Sequence, residues 1–222
     1  MTALLLSRVL YPVLALGPGR RLGVWFQGCT LACPGCMSVD TWPSGAGFTS
    51  SVEEVTRLWR KAVRAGANGL TISGGEPLQQ AEGLAELLAS VRAVAAGHPV
   101  DVLVYTGYEE DELDTARRNA LAGADAVVTG RYRAGEPTAL IWRGSANQRL
   151  TPMTELGRDR YTPFLRHVPE RPPLQVERDG EQVWLIGVPR KGTIPRLEGA
   201  MRREGVSVHR ARAHGRTDHP KM

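Results

Sequence analysis

Gly23-Val-Trp-Phe-Gln-Gly-Cys29-Thr-Leu-Ala-Cys33-Pro-Gly-Cys36 joins a short apolar run to a loop that holds all three cysteines of the chain. The first half, Gly23 to Gly28, reads as a buried strand. The second half has the spacing CxxxCxxC, and thiols gathered this tightly point to a metal site. A 4Fe-4S cluster is ordinarily held by four thiolates. Three leave one iron without a protein sulfur, open to another ligand. Alternatives stand beside this reading. A structural zinc ion needs four donors, and the histidines that would complete its shell, His98, His167, His209, His214 and His219, all lie far from the loop in sequence. A disulfide leaves one cysteine over, and three buried core cysteines are the plainest alternative.

Beyond this loop the chain alternates. Val52 to Ala65 has apolar residues at helical spacing, with Ser50 or Ser51 as N-cap. Gly69-Leu-Thr-Ile-Ser73 reads as a strand ending in Gly74-Gly75, Leu78 to Ala96 as a helix, and Asp101-Val-Leu-Val-Tyr105 as a strand. Glu109 to Leu121 and Asp125 to Thr129 repeat the pattern. Strand-then-helix order predicts parallel strands joined by right-handed crossovers, hence an α/β fold, a partial (β/α) barrel or open sheet of mostly parallel strands. Working loops in such sheets lie past the C-terminal ends of the strands. The cysteine loop, Gly74-Gly75-Glu76-Pro77 and Thr106-Gly107-Tyr108 all fall there, so one pocket can be faced by all three. Alone, the two glycines and the proline make an ordinary strand-to-helix turn. Beside the cysteines, they let a ligand approach the backbone, and Glu76 can accept from an ammonium group. Gly17-Pro-Gly-Arg20 precedes its strand, where a dinucleotide loop must follow one, so it reads as a tight turn. Trp25, Trp59 and Trp184 sit in apolar patterns and are expected in the core.

Composition narrows the function. A 222-residue chain with 42% hydrophobic residues has enough apolar surface for one domain with an appendage. No apolar run reaches the length of a membrane span, and Met1 to Ser7 lacks the basic leader of a secretory signal. Thiols kept free for iron suit a reducing compartment, so the cytoplasm is the expected location. The net charge of +5 is concentrated in residues 202 to 222, which hold six basic side chains against two acidic ones. A basic polar tail of this kind is a solvated end, and direct nucleic-acid binding is not expected.

After residue 156 the pattern changes. Pro163, Pro169, Pro172 and Pro173 mark an irregular crossing segment. Leu174 to Glu177 and Gln182 to Gly187 flank Asp179-Gly180 as a hairpin, Ile194 to Glu204 reads as a short helix, and Val206 to Val208 as a last extended run before the tail. We expect a core domain over residues 1–156 and a small α+β appendage over 157–222.

Taken together, these landmarks resemble the radical S-adenosylmethionine enzymes and, among them, the activating proteins of anaerobic ribonucleotide reductase. The resemblance rests on Gly17 to Arg20, CxxxCxxC with its Cys33-Pro-Gly-Cys36 ending, Thr41-Trp42, Ser73-Gly-Gly-Glu-Pro-Leu78, Tyr105-Thr-Gly-Tyr108 and Ile141-Trp-Arg-Gly-Ser-Ala-Asn-Gln148. It implies that Cys29, Cys33 and Cys36 hold a 4Fe-4S cluster whose remaining iron binds S-adenosylmethionine. Reductive cleavage then gives a 5′-deoxyadenosyl radical, which generates a glycyl radical on a partner such as anaerobic ribonucleotide reductase. An electron donor such as a flavodoxin or ferredoxin is implied as well. Carried over residue by residue, Gly35, Cys36 and Met37 lie against cluster and adenosine, and Gly74, Gly75 and Glu76 meet the methionine part. Thr106 and Tyr108 line the site, while Arg143, Ser145, Asn147 and Gln148 fix the carboxylate or ribose or shape the mouth. No catalytic side chain beyond the cluster site is implied. Two other readings remain: a radical enzyme acting on a peptide or small metabolite with residues 157–222 as its recognition element, and a non-catalytic iron–sulfur or zinc scaffold.

Overall fold

In the computed structural model, which describes residues 2–94, 97, 99–179 and 182–205, the apolar runs of the middle of the chain pair as parallel strands. These are β2 (Arg21–Phe26), β4 (Gly69–Gly74), β5 (Asp101–Tyr105) and β6 (Ala126–Thr129), which lie side by side in that order. All six residues of β2 are buried, as expected of a parallel strand covered on both faces. Three antiparallel strands extend this centre. β1 (Ala3–Val13) pairs with β2 on one side and with β3 (Phe48–Ser51) on the other, and β7 (Arg149–Pro152) pairs with β6 at the far edge. The order β3-β1-β2-β4-β5-β6-β7 does not close on itself, so the α/β fold is an open, partial barrel. The parallel centre matches the sequence expectation; the antiparallel flanks were not part of it.

Two helices cover one face. α1 (Val52–Arg64) begins at Ser51, whose hydroxyl accepts from Glu54 N while the Glu54 carboxylate accepts from Ser51 N, a complete capping box. It buries Val55, Leu58, Trp59 and Ala62, and α2 (Ala81–Val94) buries Leu84, Leu87, Leu88 and Val91. Both pack on Leu22, Val24, Phe26, Leu70, Ile72, Val102 and Val104. Trp59 Nε1 donates to Val91 O at 3.0 Å, pinning one helix to the other. The expected helix from Leu78 starts instead as a 3-10 turn, Pro77–Gln80, and its last two residues lie outside the described residues. The expected helix Glu109–Leu121 divides into a 3-10 turn, Glu110–Glu112, and α3 (Thr115–Ala120). The break comes from Asp114, which is extended and caps α3 by accepting from Arg117 N.

The N-terminal ends of the parallel strands are tied by a buried ionic network. Arg21, 0% exposed, gives its two Nη groups to both carboxylate oxygens of Asp101 at 3.1 and 2.7 Å, and its remaining donors to Thr71 Oγ1, Pro18 O and Leu70 O. Asp101 also accepts from Arg160 and from the Tyr161 hydroxyl. Burial raises the Asp101 carboxyl, but Arg21 and these bonds outweigh it and hold the group below the usual aspartate range. Gly17 (φ +116°) makes room: a Cβ there would stand 2.7 Å from Arg21 Nε. The Gly17 to Arg20 turn is thus shaped to admit the neighbouring arginine.

Tyr161 ends α4 (Glu155–Tyr161), so the division expected at 156/157 falls inside a helix whose last residue is fully buried. Later residues form β8 (Leu174–Asp179) and β9 (Gln182–Gly187), a separate antiparallel pair, followed by α5 (Thr193–Arg203). The hairpin lies on the sheet face opposite the helices: Ile186, 3% exposed, packs with Val13, Ala15, Leu16 and Trp25. Gln175 bridges to Pro12 O and Leu14 N, each at 2.8 Å. Trp25 and Trp59 are core residues as expected, but Trp184 is only partly buried and lies against Arg8. The run Val206 to Val208 and the basic tail lie outside the described residues, as does Gly180 at the hairpin turn.

Candidate metal centre

The loop after β2 is held at its stem by a strap, residues 38 to 43, that follows it. Gly28 N donates to Thr41 O at 2.8 Å and Cys29 N to Trp42 O at 3.0 Å, while Gln27 Nε2 donates to Asp40 O and Pro43 O at 3.1 and 2.7 Å. Within the loop the chain turns sharply. Gly35 (φ +79°) and, unusually for a residue with a Cβ, Ala32 (φ +46°) are left-handed, and Cys36 N donates to Cys33 O at 3.1 Å. The three thiols are free and partly buried. Burial pushes the Cys29 thiol up, against the backbone N–H groups of Leu31 and Ala32; it pushes the Cys36 thiol up as well, against Ser38 N–H and the Trp42 side chain, with the charge of Asp40 adding to the rise. Ser38 N lies 3.4 Å from Cys36 Sγ.

This donor set fits an iron–sulfur cluster. N–H groups aimed at sulfur support a thiolate and tune the metal it binds, and partial desolvation leaves a thiolate to be compensated by a metal. No group of three His, Cys, Asp or Glu side chains among the described residues converges as the donors of a single ion would. His167, the one histidine described, has its ring 5.9 Å from that of Phe164. A cluster differs from zinc in that each thiolate takes its own iron.

Two other strand ends close on the loop. Gly75 N and Glu76 N donate to Phe26 O and Gly28 O at 2.8 and 2.9 Å. A Cβ at Gly75 would stand 2.3 Å from Gly28 O, so the two backbones meet where only glycine fits. Glu76, 1% exposed, accepts from Leu78 N and Thr106 Oγ1 through Oε1 at 2.9 and 2.8 Å, and from Gly107 N through Oε2 at 2.7 Å. Burial pushes its carboxyl above the usual glutamate range despite these donors. Gly107 in turn faces Leu31 of the cysteine loop, whose Cδ1 would be 2.5 Å from an added Cβ. Glu76 therefore stitches the three loops together, a role that the sequence reading, which gave it to an ammonium group, did not contain. Thr106 spends its hydroxyl on Glu76. Tyr108 packs on the helix-side core with the Arg117 guanidinium 4.3 Å over its ring.

The Ile141 to Gln148 segment folds on itself. Trp142 (φ +60°) packs its ring tilted against Phe164 and edge-to-face against Tyr161. Arg143, 7% exposed, donates to Ile141 O, Phe164 O and Leu165 O, bonding backbone beyond α4. Ser145 Oγ accepts from Arg133 N, and Gln148 spans Gly144 N and Gly130 O at 2.7 and 3.0 Å. Asn147 donates to Arg131 O at 2.9 Å. Through the 130–134 segment this fold reaches the cysteines: a Cβ at Gly35 would lie 3.4 Å from Ala134 Cβ and 3.6 Å from Tyr132 Cε1. Met37 stands at the rim, 50% exposed. The structure thus brings Gly35, Gly74, Gly75, Glu76 and Thr106 to the cysteine loop or its stem, and engages Arg143 elsewhere. Leu31, Tyr132 and Ala134 were not foreseen; their spacing carries no signal of the contact.

Comparison with known proteins agrees with this geometry. The family model described as a 4Fe-4S single cluster domain matches residues 15–151. The anaerobic ribonucleoside-triphosphate reductase-activating protein of Salmonella typhimurium is 36% identical over 143 residues, covering 62% of this chain and 92% of the relative. That of Haemophilus influenzae is 38% identical over 137 residues, 60% of this chain and 87% of its own. That of Enterobacteria phage T4 is 33% identical over 141 residues, 63% and 88%. The crystal structure of QueE from Escherichia coli aligns with a TM-score of 0.41 at 15% identity, covering 57% of this chain and 70% of its own. Cysteine loop and matching model together define a single-cluster iron–sulfur protein. The relatives narrow the class: the chain belongs to the family of anaerobic ribonucleoside-triphosphate reductase-activating proteins. No helix among the described residues is long and apolar enough to cross a membrane.

Proposed function

We propose that this protein is a radical S-adenosylmethionine enzyme that installs a glycyl radical on an anaerobic ribonucleotide reductase. The observation that carries the reading is the set of three partly buried thiols on one loop, stitched to the glycine-rich ends of two neighbouring strands. Cys29, Cys33 and Cys36 would hold the cluster, and with three protein thiolates one iron would be left for the substrate. When bound, the 4Fe-4S cluster supplies the electron that splits S-adenosylmethionine into methionine and a 5′-deoxyadenosyl radical, the species that takes a glycine hydrogen from the partner.

The chain's own residues bind and orient. The backbone at Gly74 and Gly75 leaves the methionine part unobstructed, and Glu76 keeps the 106–107 turn at a fixed distance from the cysteine loop. Gly35 and Met37 border the cluster and adenosine. Asn147 Oδ1 is a buried polar atom with no hydrogen-bond partner among the described residues. Such an atom is as a rule paired, and it suits the polar edge of a bound nucleoside. Thr106 supports the site from behind through Glu76, and Ser145 through Arg133 N, whereas Tyr108 is spent on the helix-side core and Arg143 on the carbonyls of Phe164 and Leu165. The electron comes from a flavodoxin- or ferredoxin-type donor, the setting is cytoplasmic, and β8, β9 and α5 form an appendage to the core domain.

The test is to purify the protein without oxygen, reconstitute it with iron and sulfide, reduce it and add S-adenosylmethionine. Wild type is expected to form 5′-deoxyadenosine and, with the reductase present, a glycine-centred radical visible by EPR, while Cys33→Ala forms neither. A well-formed cluster that yields no 5′-deoxyadenosine would overturn the proposal. Cleavage that never produces the radical on the reductase would move the target to a peptide or small metabolite.

A further inference from the structure

Arg8 and Trp184 both lie outside the stretch shared with the family model, residues 15–151, yet they meet beside the strap that holds the cysteine loop. Arg8 is on β1, directly opposite Trp25 of β2. Its guanidinium carbon lies 3.5 Å from the ring centroid of Trp184 on β9 and 5.9 Å from that of Trp25. The same guanidinium pairs with the Asp40 carboxylate. Asp40 stands in the strap, one and two residues before the carbonyls of Thr41 and Trp42 that receive Gly28 N and Cys29 N. Contacts therefore run without a gap from the C-terminal hairpin through Arg8 and Asp40 to the stem of the cysteine loop.

Resting on the reading of Cys29, Cys33 and Cys36 as cluster ligands, we propose that Arg8 is a positioning residue for the iron–sulfur site, and that the hairpin, by clamping Arg8 on Asp40, sets the reduction potential of that cluster. The clamp acts in two ways. It holds the strap, and with it the Thr41 and Trp42 carbonyls that receive Gly28 N and Cys29 N. It also neutralises the carboxylate of Asp40, which follows Cys36 by four residues in the same loop and strap and adds to the rise of the Cys36 thiol. Cluster potentials follow local charge and the hydrogen bonds at sulfur, and an unpaired carboxylate beside the cluster disfavours the incoming electron. An aromatic face attracts a guanidinium through its quadrupole and restrains it where an aliphatic side chain would not. A surface ion pair of purely structural use would alter melting and leave the potential where it was.

The experiment compares full-length wild type, Arg8→Gln, Asp40→Asn, the double variant, Trp184→Leu and Trp184→Phe. Each is reconstituted with iron and sulfide, titrated anaerobically while the reduced cluster is followed by EPR, and melted in parallel. Arg8→Gln is expected to shift the midpoint to a more negative potential and Asp40→Asn to a less negative one, with the double variant returning close to wild type. Trp184→Leu should follow Arg8→Gln by a smaller shift, and Trp184→Phe should restore the wild-type value. Unchanged potentials in Arg8→Gln and Trp184→Leu, with clusters formed, would overturn the proposal. Should Arg8→Gln not fold, the contrast between leucine and phenylalanine at 184 decides. If wild type takes up no cluster, the reading of the cysteines fails, and the electronic part of this proposal with it. Amide exchange in the metal-free protein then tests the mechanical part: Gly28 and Cys29 should exchange faster in Trp184→Leu than in wild type, and equal rates would refute it.

Discussion

Arg21 opens β2 and Cys29 follows its end, yet the surroundings of these two residues are opposites. At the Arg21 end every guanidinium donor has a partner, Asp101 receives three different residues, and the group is shut away from water. At the cysteine end the sulfurs are partly open, the backbone turns through left-handed conformations, and N–H groups point at the Cys29 and Cys36 thiols. The difference separates what makes the sheet stable from what makes it useful. A charge is tolerated in a core when its partners are complete, whereas a ligand site must keep part of its bonding capacity unspent.

Substitutions at the two ends should accordingly fail in different ways. The largest effect is expected for Cys29→Ser, Cys33→Ser or Cys36→Ser: complete loss of cluster absorbance and of 5′-deoxyadenosine formation. Urea denaturation of the metal-free protein should move by less than about 1 kcal/mol, since none of the three thiols is fully buried. Asp101→Ala should do the reverse, costing about 3–5 kcal/mol because it strands a buried arginine, while the fraction that remains folded still incorporates iron. A Cys33→Ser variant that unfolds, or an Asp101→Ala variant as stable as wild type, would erase the contrast.

Glu76 sharpens the comparison because it is a buried carboxylate at the open end. Glu76→Ala leaves Leu78 N and Gly107 N without their acceptor and is expected to cost about 2 kcal/mol, with faster amide exchange at Gly107 as the local reporter. The smallest effect is in the pH dependence, where the two carboxylates have opposite signs. Asp101 is held below its unfolded value, near 3.9, so its contribution is complete above that pH and is lost as pH falls through the folded value. Glu76 is raised, so its contribution is complete below the unfolded value, near 4.3, and is lost as pH rises through the folded one. Denaturation between about pH 3 and 7 should show the stability gap between wild type and Asp101→Asn narrowing at the acid end. The gap between wild type and Glu76→Gln should widen there. Parallel curves would place both carboxylates in equivalent surroundings.

The same contrast explains what could be read from the sequence. Asp101 to Tyr105 and Gln182 to Gly187 were legible as strands to the residue, and Val52 with its serine cap as a helix start, because continuous apolar runs and capping residues act locally. The cysteine loop and its glycine-rich neighbour were legible because their chemistry is written in adjacent positions. Strands of four residues, Phe48–Ser51 and Arg149–Pro152, are too short to show a period. β1 was missed for another reason: its burial alternates only loosely around Ser7 and Arg8, and it pairs with later strands that no local pattern announces. Arg21 finds Thr71 and Asp101 at separations of 50 and 80 residues. Arg143 likewise bonds carbonyls that lie some twenty residues on, beyond α4. Polar networks closed across such distances leave no trace in spacing, whichever end of the sheet they serve.

The short flanking strands have a consequence for association. An exposed sheet edge is a template on which another chain can add a strand, and a long edge invites it most. Here the main sheet ends in β3 and β7, each of four residues, and the parallel strands are all interior. β3 covers β1 only over Ala3 to Leu6, so the longer stretch of margin is Ser7 to Val13 of β1, and near its end the C-terminal hairpin takes hold instead, with Gln175 donating to Pro12 O and accepting from Leu14 N.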